Sequence, residues 1–245
     1  MTDYIVSYSN GSSGQFLLAM LERAASTNTD YKKLVPGKYN DAHFNTVLPY
    51  NWEFRIKDIR EEQGINRFKT IYKLNDYFPA FVYTHLYCPS IQLSRWSDVK
   101  LCVVLHTEED ILDISINGFY KTELTESWHK TAHNRFPLWF DKNNVIFDEL
   151  LKKPTNQWSP KEIRMAVMMR KSMVIGTGFH FIEPIDDPRI FYIQYRDLVT
   201  SCSAVVEFLQ RATKCPITDN IVQDIKDYQT RQEEFMNKAK AELGL

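Results

Sequence analysis

The feature that most constrains this chain lies at its start. Tyr4-Ile5-Val6-Ser7-Tyr8 is a short run of β-forming residues that leads straight into Ser9-Asn10-Gly11-Ser12-Ser13-Gly14. Strong helix formers follow at once, from Gln15 through Leu17, Leu18, Ala19 and Met20 to Ala24. Strand, glycine-rich turn, helix is the reading. A helix entered through small residues exposes unpaired backbone N–H groups that converge on one spot, and the helix dipole adds partial positive charge there. Asn10, Gly11, Ser12, Ser13 and Gly14 therefore form a candidate cradle for phosphate or sulfate, with Ser12 and Ser13 able to add hydroxyl donors. The plain alternative is a tight strand-to-helix connection that binds nothing. A magnesium-nucleotide loop would close with Gly-Lys-Ser/Thr, and this one closes with Gly14-Gln15-Phe16. Two main parts of nucleotide hydrolysis are missing.

The rest of the chain alternates in the same manner. Ala80 to Thr84 reads as a buried strand ending at His85, and Lys100 to Leu105 as a second, continuous in its apolar residues. Thr107-Glu108-Glu109-Asp110 supplies an N-cap and first-turn acids for a helix from Ile111 to Phe119. Ser159-Pro160-Lys161-Glu162 is a capping box opening a helix from Ile163 to Met173. Ile190 to Tyr195 reads as a further strand, and Asp197-Leu198-Val199 leads from it into an amphipathic helix from Ser203 to Arg211. A polar helix from Thr218 to Leu243, with sparse apolar residues, suits packing along an edge or against a partner subunit. Residues 26–50 and 125–160 read as loop-rich, and 65–74 as mixed. Strands alternating with helices predict an α/β fold with a mainly parallel central sheet. We read 1–245 as one domain, with a C-terminal helical extension from about 218.

Charge and cysteines narrow the partners. A formal net charge of -1 gives no global field toward nucleic acid or an anionic membrane, so neither is expected as a partner. The first residues lack a signal-peptide pattern and no apolar run approaches membrane-spanning length, which points to the cytoplasm of a source or host cell, or to a virion. Cys88, Cys102, Cys202 and Cys215 show no metal-ligand spacing and read as free thiols. His129 and His133 are four apart but lack the acid of a zinc-protease pattern, so no metal is expected. Arg164, Arg170 and Lys171 could reach an anion, but read first as a solvated helical face. The two glycines in Val174-Ile175-Gly176-Thr177-Gly178 suggest a close backbone approach or a loop, not a dinucleotide fingerprint.

His85 falls where a strand ends, the edge at which parallel sheets build their crevices, and a histidine there can take a proton near neutral pH. A second histidine, His106, ends the next strand 21 residues later. In this order the motifs resemble the sulfotransferase family, closest to small divergent phage-encoded members. Tyr8-Ser9-Asn10-Gly11-Ser12-Ser13-Gly14 resembles that family's phosphosulfate loop, Tyr-Pro-Lys-Ser-Gly-Thr-Thr, and Tyr83-Thr84-His85-Leu86 resembles its Lys-Thr-His-Leu strand end. Val103 to Ser115 occupies the place of the strand and helix that hold the 3′-phosphate, and Ile190 to Leu198 is similar to the C-terminal strand and turn. The family's loop lysine is Asn10 here, and its phosphate-binding arginine is His106.

The resemblance implies a P-loop three-layer α/β/α fold and transfer of a sulfo group from 3′-phosphoadenosine 5′-phosphosulfate to a small-molecule or glycan hydroxyl acceptor. It implies His85 as catalytic base. Asn10, Gly11, Ser12, Ser13, Gly14 and Gln15 would bind the 5′-phosphosulfate, His106 and Ser115 would lie near the 3′-phosphate, and Tyr195 would border the nucleotide. The competing expectation is a non-catalytic protein of the same fold, a structural or assembly component of a phage virion, working as a homo-oligomer or with a virion partner. The missing lysine and an aromatic content of 13% motivate it. A small-molecule kinase is a third option, weakened by the absent lysine.

Overall fold

The computed structural model describes residues 3–9, 11–25, 81–84, 89, 93, 99–120, 157–176 and 182–245. Asn10, His85, Cys88, His129, His133 and Gly178 lie outside the described residues, as do the segments 26–50, 65–74 and 125–156.

Four strands form one parallel sheet: β1 (Asp3–Ser7), β2 (Phe81–Thr84), β3 (Val99–Leu105) and β4 (Ile190–Gln194), in the order β2-β1-β3-β4. Each lies within one or two residues of the segment expected from its β-branched and aromatic content. Register sets the two faces. Val6 pairs with Cys102 and Val104 with Ile193, and these side chains join one core cluster with Tyr4. Ile5 and Leu101, paired one residue away, point to the opposite face by the two-residue repeat, yet both are completely buried, as is Val103. A parallel sheet buried on both faces explains why β3 reads as a continuous apolar run.

Helix α1 (Gly14–Ala25) follows β1, and α2 (Ile111–Gly118) follows β3 through a 3-10 turn, Glu108–Asp110. Helix α3 (Pro160–Gly176) opens on the expected capping box: the Ser159 amide donates to the Glu162 carboxylate at 2.7 Å, and the Glu162 amide to the Ser159 hydroxyl at 3.4 Å. It continues through Val174 to Gly176, where a close backbone approach or a loop was expected, and Val174 is buried in the core. After β4 come α4 (Tyr195–Thr200), α5 (Cys202–Thr213) and α6 (Asp219–Leu243). Tyr195, expected as the last strand residue, is the first of α4. Ser201 separates the two helices and caps α5, accepting the Ala204 amide at 3.3 Å.

The C-terminal helix is less polar in effect than in composition. Its buried residues are Ile221, Ile225, Tyr228, Gln232, Met236, Ala239 and Leu243. Positions 221, 232 and 243 repeat at eleven residues, as do 225 with 236 and 228 with 239. Eleven residues in three turns nearly match a straight α-helix, so a few apolar residues fall on one unbroken stripe. That stripe joins the main core at Ile221, Ile225 and Tyr228, and a second cluster with Ile116, Phe119 and Trp158 at Met236, Ala239 and Leu243. Arg170 departs from the solvated face expected for it. It is 3% exposed, with its guanidinium packed on Gly118 of α2, whereas Arg164 stays at the surface and donates to the Leu243 carbonyl at 3.4 Å. Among the described residues, no helix is long and apolar enough to cross a membrane.

Candidate functional site

The strand order marks where a parallel sheet can open a crevice. From β1 the chain proceeds to β2 on one side, and from β3 to β4 on the other. Where neighbouring strands send their connections in opposite directions, the loops at their carboxyl ends part and leave room for a ligand. Residues 8–14 end β1 there, and residues 106–110 end β3.

The loop after β1 is tightly built. Gly11 has φ +98 and Ser13 φ +60, so the turn passes twice through the left-handed region. A Cβ at Gly11 would collide with the Ile114 carbonyl oxygen and lie 3.0 Å from Gly118 Cα; only glycine lets the loop rest on α2. Gly14 is covered by the Tyr8 ring at a distance no side chain there could tolerate. Ser12 is fully buried and turns inward, its amide (3.0 Å) and hydroxyl (2.6 Å) both donating to the Ser9 carbonyl. Its hydroxyl is therefore used within the turn, while Ser13 keeps its own proton and accepts one from Tyr228 at 2.7 Å. The first bond of α1 runs from the Leu17 amide to the Ser13 carbonyl at 3.2 Å. The amides of Gly14, Gln15 and Phe16 precede it and have no backbone partner among the described residues. The Ser9 hydroxyl, on a residue only 1% exposed, also has no partner among them.

The end of β3 is arranged differently. His106 directly follows the strand and is 3% exposed. The Asp110 carboxylate accepts the Thr107 amide at 2.9 Å and its hydroxyl at 3.0 Å, closing the turn on itself. Ser115 is fully buried and donates to the Ile111 carbonyl at 2.6 Å, one helical turn back. Its proton stays inside α2.

Between α2, α4 and α6 lies an open cavity of about 530 Å³. Tyr195 and Met236 supply apolar surface, and Asp113, Lys226, Gln229 and Lys240 supply polar groups. Lys240 pairs with Asp113 at 2.7 Å across the rim. The Tyr195 phenol is held well above its ordinary pKa, first by burial and then by nearby Tyr228, Asp113 and Asp110, so it stays protonated. Gln232 joins cavity and loop: it lines the first, and its amide donates to Asn117 Oδ1 at 3.2 Å, while Asn117 Nδ2 donates to the Gly11 carbonyl. No family model, no curated protein and no solved structure matches this chain.

The structure thus gathers Gly11, Ser12, Ser13, Gly14, Gln15 and Tyr195 around one end of the sheet, with His106 and Ser115 at the neighbouring strand end. Asn117, Tyr228 and Gln232 are participants that local sequence patterns did not single out. Gln232 carried the only signal, as a polar residue on an otherwise apolar stripe. Among the described residues, no group of three or more His, Cys, Asp and Glu could hold a metal ion.

Proposed function

We propose that this chain is a sulfotransferase-like protein of P-loop, three-layer α/β/α architecture, which moves a sulfo group from 3′-phosphoadenosine 5′-phosphosulfate to a hydroxyl acceptor. The observation that carries the reading is that the amides of Gly14, Gln15 and Phe16, at the start of α1, have no backbone partner among the described residues. A doubly charged oxyanion fits such donors, reinforced by the dipole of a twelve-residue helix. The sheet buried on both faces and the interior position of β1 agree with a three-layer fold. In this reading the cavity at Tyr195 receives the nucleoside end, with Lys226 and Lys240 offsetting phosphate charge.

Thr84 ends β2 and pairs with Ser7, so β2 finishes beside the strand that carries the loop, and His85 is the next residue in the chain. His85 takes the acceptor proton as the acceptor oxygen bonds to sulfur and the bond from sulfur to the 5′-phosphate oxygen breaks. Alignment and charge neutralisation supply most of the acceleration in such transfers. Titration calorimetry with 3′-phosphoadenosine 5′-phosphate tests the reading. Saturable binding is expected, and no heat at millimolar ligand removes it.

A second reading, a non-catalytic assembly protein on the same fold, is favoured by the Ser115 hydroxyl bonded inside its own helix and by Asn10 in place of a lysine. Donor-dependent sulfo transfer abolished by His85→Ala would rule it out.

A further inference from the structure

We propose that the C-terminal helix completes the anion loop, with Tyr228 as a positioning residue that turns the Ser13 hydroxyl into an outward donor. This rests on the anion-binding reading above. Ser13 and Tyr228 are 215 residues apart, and their hydroxyls meet at 2.7 Å with the phenol donating. A serine oxygen that accepts one proton must direct its own elsewhere, and it becomes a better donor for having accepted, because linked hydrogen bonds polarise one another. The phenol is suited to this. Its ring is stacked on Phe16 at 3.7 Å between centroids and 4° between planes, which fixes its direction. Burial raises its pKa to about 12, so it keeps the proton it donates.

Gln232, one turn further along the same helix, acts on the other side of the turn. Through Asn117 it satisfies the Gly11 carbonyl, which keeps that oxygen from facing an anion. Helix α6 therefore holds the loop at two points in a form that presents N–H and O–H groups. The buried Ser9 hydroxyl, without a partner among the described residues, is a further polar group at the same turn that a bound anion would satisfy. The loop does without the family's lysine by having its neutral donors aligned from behind.

The experiment is a double-mutant cycle on the full chain, read by calorimetry with 3′-phosphoadenosine 5′-phosphate and with inorganic sulfate. Tyr228→Phe keeps the ring stack and removes only the hydroxyl. We expect it to weaken binding about five-fold, Ser13→Ala to do at least as much, and the double variant to bind no worse than Ser13→Ala alone. In the parent chain with ring-labelled tyrosine, the Tyr228 Cζ resonance should shift on saturation with either ligand, a readout that needs no variant. Parent-like affinity in Tyr228→Phe, fully additive losses, or an unmoved Tyr228 resonance in a saturated parent would overturn the inference and leave anion binding standing. A parent chain that binds neither ligand overturns both.

Discussion

The ends of β1 and β3 are adjacent, but they differ in which polar groups hold them. At the end of β3, Asp110 closes on Thr107 and Ser115 on Ile111, and Arg196 of α4 reaches the other Asp110 oxygen at 3.6 Å. At the end of β1, Ser12 closes on the Ser9 carbonyl, side chains of other elements (Tyr228, Asn117) add bonds to the turn, and the amides of Gly14, Gln15 and Phe16 have no backbone partner among the described residues. Both turns carry local closures, but the bonds that reach the β1 turn from other elements span more than a hundred residues of chain.

Alkali should produce the largest effect, acting on a buried group inside β3 and on another over the β1 loop. Burial raises the Cys102 thiol on β3 and the Tyr228 phenol over the β1 loop to about 12 each. The folded chain holds these protons more tightly than the unfolded one. Their stabilising contribution is complete below pH of about 9, the ordinary range of a thiol, and is lost as pH rises toward about 12. Circular dichroism against pH should show unfolding within that window, and a chain still native at pH 12 would contradict the burial of both groups. Gly11→Ala comes next. Positive φ and the collision with the Ile114 carbonyl should together cost about 2–4 kcal/mol in urea unfolding. A loss under 1 kcal/mol would mean the loop does not rest on α2 as described.

Asp110→Ala probes the β3 end. Losing the two bonds from Thr107 and the contact with Arg196 should lower stability by about 1 kcal/mol while leaving binding of 3′-phosphoadenosine 5′-phosphate unchanged. A large loss of binding with unchanged stability would erase the contrast between the two strand ends. The smallest effect is expected at the cavity rim. Lys240→Gln breaks a half-exposed ion pair with Asp113 and should change stability by less than about 0.5 kcal/mol, yet weaken nucleotide binding measurably at low salt.

Local patterns made much of this legible. The β-rich run, small residues and helix formers between Tyr4 and Ala24 place β1, the turn and α1 correctly, and the box at Ser159 marks the start of α3. Both signals act within a few residues. What the sequence hid depends on partners far along the chain. Nothing near Ser13 announces Tyr228, and nothing near Arg170 announces that Gly118 leaves room for its guanidinium. The α6 stripe was visible in principle, because its repeat is eleven residues. Its charged neighbours outnumber it and mask its continuity.

The pairing of residues 13 and 228 has a consequence for biosynthesis. The turn is synthesised 215 residues ahead of the tyrosine that braces it. Until the segment around Tyr228 is made and docks, β1 and α1 are joined by a turn whose Ser13 hydroxyl lacks this donor.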